Sequence, residues 1–368
     1  MNAFNSTSLE SIINLNQVMN IQKDKLERIR TKVRELEFKN VDIVGNYQPV
    51  AFKAIDGGKM KIYFDPLEIN IIDVYDSYGN LKLRFAVPSE SEDLDYKNSD
   101  ILNSLQEIPI IKSFLEIFHK DKLSEISEIY NSPDTLMEIA EWACIFDKIR
   151  NNNDEPVLVM RDGLLRTKKI KSEHIKNLIQ ILKEKKNSVW LVGVAKRSKI
   201  LTLLSTAIFM ENKIPPNSIG YIKVPRELEM MAYSWTGKGR VTEEKSRIYY
   251  AFGDIYLAKL SPNSNLLVPV EIPRDMENDE DIYDSRDINR IFGNLAKDSI
   301  NSYPIIGYPQ TLMRAHEYAA SVGFPASVMR DKILDQIMNT LDENGKSFIR
   351  NGFLLKDSIS KYGLGGGD

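Results

Sequence analysis

Between residues 48 and 87 four β-like runs follow one another: VAFKAID, KMKIYF, INIIDVY and LKLRFAV. Turn signals such as DGGK and DSYGN divide them, which reads as consecutive antiparallel strands. Beyond an acidic, polar stretch at 89–98 the texture becomes helical, from about 101 to 130 and from 134 to 150. A strand (VLVMRD), a basic helix (KSEHIKNLIQILKEKK), a strand (SVWLVGVA) and a helix (KILTLLSTAIF) come next. Strands in series, then strands alternating with helices, predict a mixed α/β sheet with helices packed against it. Two more β-like runs, RIYYAFGDIYLAKL and NLLVPVEIP, precede helices at about 285–298, 309–322 and 326–342.

The flanks differ from this middle. Residues 8–37 lack proline and glycine, and Leu26, Ile29, Val33 and Leu36 recur at helical spacing. That N-terminal helical segment, 1–45, either caps the domain or pairs with another chain. Residues from about 205 to 245 read as a loop-rich insertion, and 346–368 as a tail.

Several functions are excluded by what the chain lacks. No G-x-x-x-x-G-K-[ST] occurs, and neither TGKGR nor GLGGG lies between a strand and a helix, which argues against an ATPase or a dinucleotide enzyme. A net charge of −3 gives no global attraction to a polyanion, so any nucleic acid must meet a local patch. The single cysteine, Cys144, rules out a disulfide framework and fits a reducing cytoplasm. Neither a signal-peptide layout nor a span-length apolar run is present, so no membrane role is expected. With three histidines in 368 residues, a metal here is expected to be a hard cation held mainly by carboxylates.

Carboxylates stand where such a cation could be held. In PVLVMRDGLL an apolar run ends at Asp162-Gly163, and in PVAFKAIDGGK at Asp56-Gly57. Asp-Gly is a common turn dipeptide. Two of them, each closing an apolar run, place two carboxylates at strand tips that converge if the strands are neighbours. Between them, the apolar helix LMEIAEWACIFDKI carries Glu138 and Glu141, three apart and on one face. They lie either on its solvated stripe or near the core, where a buried carboxylate requires a cation partner. Behind Asp162, RTKKIK, Lys196, Arg197 and Lys199 supply positive charge suited to a phosphate backbone. Near the C-terminus, GYPQTLMRAHEYAAS places Tyr308 at a helix start and His316 about two turns in.

Taken together, AIDGG, the glutamate-bearing helix, VMRDGLL, VGVAKRS and GYPQTLMRAHEYA resemble the NurA nuclease family, in order and interval, over about 48–322. The resemblance implies an RNase H-like nuclease domain spanning 46–345. It implies manganese-dependent cleavage of DNA, with magnesium as the alternative ion, by 5′–3′ exonuclease and single-strand endonuclease action. It also implies a homodimer docked on a HerA-type hexameric ATPase, in DNA end processing or defence against phage. By position, Asp56, Asp162 and either Glu141 or Glu138 match the metal carboxylates, Glu141 being preferred for its interval to Asp162. Tyr308 and His316 match the C-terminal pair, with His316 a further candidate ligand, and Lys196 matches the basic position. The rival readings are an adaptor that grips DNA beside a translocase without cutting it, and a related nuclease directed at RNA. Separation of Asp56 from Asp162 beyond the reach of a shared ion would defeat the hydrolytic reading.

Overall fold

The computed structural model describes residues 23–322, apart from 25, 44–49, 65–66, 89–99, 154, 197–200 and 235–251, and scattered positions from 328 to 347. One mixed sheet dominates. Its strands are β1 (Lys39–Asn40), β2 (Ala51–Phe64), β3 (Leu67–Asp76), β4 (Leu81–Pro88), β5 (Val157–Asp162), β6 (Val189–Val194), β7 (Gly220–Lys223), β8 (Gly253–Lys259), β9 (Val268–Asp275) and β10 (Glu280–Asp281). Across the sheet they run β1-β7-β8-β9-β6-β5-β2-β3-β4, with β10 on β9.

The series β2–β3–β4 is an antiparallel meander, as its turn signals predict. β5 then adds parallel to β2, and β6 parallel to β5. Parallel neighbours need a crossover; helix Pro133–Arg150 precedes β5, and helix Ser172–Lys185 joins β5 to β6. The order β4-β3-β2-β5-β6, with only the first three strands antiparallel, is an RNase H-like core. β9, β8, β7 and β1 extend it antiparallel from β6.

The middle of helix Pro133–Arg150, residues 139–146, is apolar but for Glu141 and buried throughout. Leu136, Ile139, Ala140, Trp142, Ala143, Ile145, Phe146 and Ile149 lie in the main core with the inner residues of β5 and β6. Such enclosure stabilises each large aliphatic side chain by about 1.5–3 kcal/mol. A second cluster lies beneath the N-terminal helix: Ile29, Val33 and Leu36 pack with Ile222, Val224, Ile255 and Leu257. Arg30 and Arg34 both pair with Glu211, so this helix caps its own chain.

Three expectations are corrected. DGGK is not a turn: β2 runs unbroken from Ala51 to Phe64 through Asp56-Gly57-Gly58. The helical stretch 101–130 is three pieces, Asp100–Gln106, Pro109–Glu116 and Leu123–Ile126, with Pro109 opening the second. The segment expected to be loop-rich from 205 carries helix Leu201–Met210, strand β7 and helix Arg226–Ser234, and β7 lies within the main sheet. Residues 235–245 lie outside the described set, as do most of the helix expected at 326–342 and the tail from 348. No helix among the described residues is long and apolar enough to cross a membrane.

Candidate metal centre

Asp162 is the last residue of β5, and Gly163 turns the chain away with φ of 106°, a conformation open to glycine and strained for other residues. Asp56 reaches the same place from mid-strand. β2 and β5 pair in parallel through Ile55 and Arg161, so Asp56 and Asp162 are the next residues along adjacent strands. Glycine follows Asp56 for a reason other than turning. Faces alternate along a strand: a Cβ on Gly57 would meet Glu141 and Met137, and one on Gly58 would lie 2.0 Å from the Ala319 carbonyl oxygen. The two glycines let a helix lie close on each face of the sheet, Pro133–Arg150 on one and Gln310–Ala320 on the other.

The second of these helices delivers His316. Its Nδ1 lies 2.9 Å from Asp56 Oδ2 and 3.5 Å from Asp162 Oδ2. One donor atom each from Asp56, Asp162 and His316 fall within 4.8 Å of one another. The aspartates are therefore within the reach of a shared ion, as the hydrolytic reading requires. Helix Gln310–Ala320 is held at its start by Asp298, which accepts from the Thr311 amide at 3.0 Å and from its hydroxyl at 2.9 Å.

Lys196, just past β6, reaches Asp162 Oδ2 at 2.7 Å, and the buried Tyr308 donates its hydroxyl to Asp162 Oδ1 at 3.4 Å. The Lys196 ammonium also lies 5.9 Å from the centre of the Tyr308 ring. Burial and the neighbouring Asp162 raise the Asp56 carboxyl above its usual range, against the pull of His316 and Lys196. Burial and then Asp162 push the Tyr308 phenol far up, so its proton stays on oxygen at any working pH. The aspartates are nearly enclosed, whereas the His316 side chain is 53% exposed, so the cluster opens to solvent on the histidine side.

Both candidate glutamates face Arg161. Its Nη2 is 3.0 Å from Glu141 Oε2 and 3.4 Å from Glu138 Oε1, while its Nη1 donates to the Leu164 carbonyl at 2.5 Å. The cation that a buried helix carboxylate requires is thus supplied by the residue before Asp162, which points to the opposite face of β5. Glu141 is the nearer to the cluster: the Gly57 amide donates to Asp56 Oδ1 at 3.0 Å and to Glu141 Oε1 at 3.1 Å. Burial pushes the Glu141 carboxyl up to about 8 against the opposing pull of Arg161.

Arg166, read from sequence as part of a phosphate-facing patch, turns inward instead. It pairs with Glu229 and, at 3.1 Å, with the fully buried Glu271, tying the loop after Asp162 to β9. Neither the inward turn of Arg161 nor this inner network is marked by a motif in the sequence. Alternation along VMRD could have exposed Arg161; nothing local marks Glu229 or Glu271. Arg197 and Lys199 lie outside the described residues.

Two carboxylate oxygens and one imidazole nitrogen, with no thiolate, are a donor set suited to manganese or magnesium rather than to a soft metal. Held side by side on adjacent strands of an RNase H-like sheet and completed by a helix histidine, with a lysine at hand, such a set defines a divalent-metal-dependent nuclease. The family pattern described as NurA domain matches residues 52–321, and the chain belongs to the NurA family. Among solved structures, the NurA nuclease from Sulfolobus solfataricus aligns with 92% of this chain and 99% of its own at 14% identity and a TM-score of 0.46. NurA with manganese aligns with 89% of this chain and 98% of its own at 10% identity and a TM-score of 0.40. NurA bound to dAMP and manganese aligns with 86% and 64% at 12% identity and a TM-score of 0.22. No protein of curated function matches the sequence.

Proposed function

We propose that this chain hydrolyses DNA phosphodiester bonds at Asp56, Asp162 and His316, with manganese, or magnesium in its place, as the bound ion. The observation that carries the reading is the convergence of these three donors from sequence positions more than a hundred residues apart. A divalent ion in this position supplies Lewis acidity to the scissile phosphate and lowers the pKa of an attacking water.

The protein groups do the rest. Asp56 and Asp162 are fixed by the sheet, so little reorganisation accompanies substrate binding. Lys196 carries the positive charge nearest Asp162 and is long enough to shift from that carboxylate to a non-bridging phosphate oxygen as negative charge grows there. Tyr308, protonated and buried, holds Asp162 by its hydroxyl and backs the lysine with its ring. His316 turns Nδ1 to the carboxylates while its side chain stays half exposed, which suits a ligand that can also pass a proton. Of the two helix glutamates, Glu141 is the one whose position beside the Gly57 amide supports a part in the centre.

Family membership supports the wider reading: a homodimer working in the cytoplasm with a HerA-type hexameric ATPase, in DNA end processing or phage defence. A chain without a nucleotide-binding loop is consistent with leaving ATP turnover to that partner. It also supports 5′–3′ exonuclease and single-strand endonuclease action.

The test is Asp162→Ala. With manganese and single-stranded DNA the variant should lose on the order of 10³-fold or more in rate, the scale of several kcal/mol of lost charge stabilisation. Its circular dichroism should match the wild type, and calorimetry should record no manganese uptake. Wild-type cleavage by a folded Asp162→Ala protein would refute the assignment.

A further inference from the structure

Beside the metal cluster stands a pair of aromatic rings that the chemistry above does not use. Tyr75 is the cross-strand partner of Asp56 in the β2–β3 ladder. Residues directly opposite in an antiparallel pair project from the same face, with Cβ atoms about 5 Å apart. Tyr75 therefore adjoins Asp56 on the face covered by helix Gln310–Ala320. That helix carries His316, and two residues later Tyr318, whose ring stacks on Tyr75 with centroids 6.4 Å apart and planes at 29°.

A polar network holds the Tyr75 ring, and Tyr318 lies between it and the turn after β3. The Tyr75 hydroxyl donates to Asp73 at 3.4 Å and accepts from Arg84 at 3.3 Å, and Arg84 grips Asp73 through two bonds of 2.7 and 2.6 Å. The turn after β3 makes room for Tyr318: a Cβ on Gly79 would lie 2.9 Å from two carbons of its ring. Yet Tyr318 is 40% exposed and Tyr75 only half-buried. Core packing does not account for a braced pair of rings open to water. A flat apolar surface one strand from Asp56, where an ion held by the cluster would bind a phosphate, suits one ligand chemistry, the π-face of a base.

We propose that Tyr318, backed by Tyr75, stacks an unpaired base of a nucleotide adjoining the scissile phosphate. The inference rests on the nuclease reading and extends it to the form of the substrate. A base inside a duplex already stacks on its neighbours, so the platform selects single strands and frayed ends. Every base has a π-face, so the selection is tolerant of sequence.

The test measures binding apart from cutting. Fluorescence anisotropy in EDTA compares oligodeoxythymidylate with an abasic strand of the same length, for the wild type, Tyr318→Ala and Tyr318→Phe. The wild type should prefer the strand with bases, and Tyr318→Ala should lower that preference by about 5- to 150-fold, the range for one base–aromatic stack. Tyr318→Phe should restore it, and affinity for the abasic strand should be the same in all three. Equal weakening on both strands, or an unchanged preference in Tyr318→Ala, overturns the inference. Cleavage of the thymidylate with manganese is scored separately. A protein that cuts but shows no such preference overturns the stacking role alone. One that shows the Tyr318-dependent preference and never cuts upholds the stacking and overturns the nuclease reading.

Discussion

A methyl group at residue 58 tests whether helix packing positions the metal ligands. In Gly58→Ala the new Cβ would lie 2.0 Å from the Ala319 carbonyl oxygen and 2.8 Å from its carbon, both backbone atoms that no rotamer change can move. Ordinary contact begins at 3.4 Å, so the helix end must retreat by 3.4 − 2.0, or about 1.4 Å. The Asp298 bonds to Thr311 pin the start of the same helix. A helix pivoting at 311 moves residue 316 by five-eighths of the displacement at 319, about 0.9 Å, since rise is uniform along the axis. His316 Nδ1 now lies 2.9 Å from Asp56, and a shift of that size takes it out of a common coordination shell. We expect a stability loss of about 1–3 kcal/mol from overpacking and a loss on the order of 10²-fold in cleavage from misplacement of about 1 Å. Urea denaturation gives the first, and manganese-dependent hydrolysis of single-stranded DNA the second, with manganese calorimetry as a check on the site. Normal cleavage and normal manganese affinity in a protein destabilised by the expected amount would refute the claim that this contact sets the histidine. Gly57→Ala is the comparison: its Cβ would meet the Glu141 and Met137 side chains on the other face, so it leaves the contact with helix Gln310–Ala320 alone, and any loss of manganese binding there would come through Glu141 and not through His316.

Two further perturbations probe charges outside the Asp56–Asp162–His316 cluster. Arg161→Met leaves Glu141 and Glu138 without their cation inside the protein; loss of one partner of a buried pair should cost about 3–5 kcal/mol in urea denaturation. Adding Glu141→Gln to Arg161→Met should recover part of that loss, and additive losses would show that the pair is not coupled. Asp275 bears on acid stability. Despite the cost of burial, Lys183 and Asn278 hold its carboxyl down at about 2. A depressed folded value means that the stabilisation is complete above the ordinary carboxylate range and is lost as pH falls through about 2. Asp275→Asn should lower stability at neutral pH and reduce its slope between about pH 4 and 2; an unchanged slope would show that this pair does not contribute.

What could be read from the sequence divides along one physical line, the distance over which a residue's role is decided. Asp162 and Lys196 were legible because each ends an apolar run, a local event with a local cause, and Gly163 does turn the chain as Asp-Gly predicts. The same dipeptide at Asp56-Gly57 misled, because those glycines answer to helices that begin at residues 133 and 310. No window around residue 57 contains that information. Arg161 lies between the two cases. Neighbours on a strand face opposite ways, so Arg161 and Asp162 had to serve different layers, and the cation demanded by Glu141 could have been sought there. Arg166 could not have been placed: its partners are 63 and 105 residues further along, and a basic run after an acid reads equally well as a phosphate patch. The four-residue β7 is too short to show a period of two, which is why its surroundings read as loop. The same line separates the three donors of the proposed centre. The carboxylates are visible as breaks in pattern, but His316 sits on an ordinary amphipathic helix, and only the resemblance singled it out. If that is correct, substitutions on the sheet-facing side of helix Gln310–Ala320 govern metal binding as strongly as changes beside either aspartate.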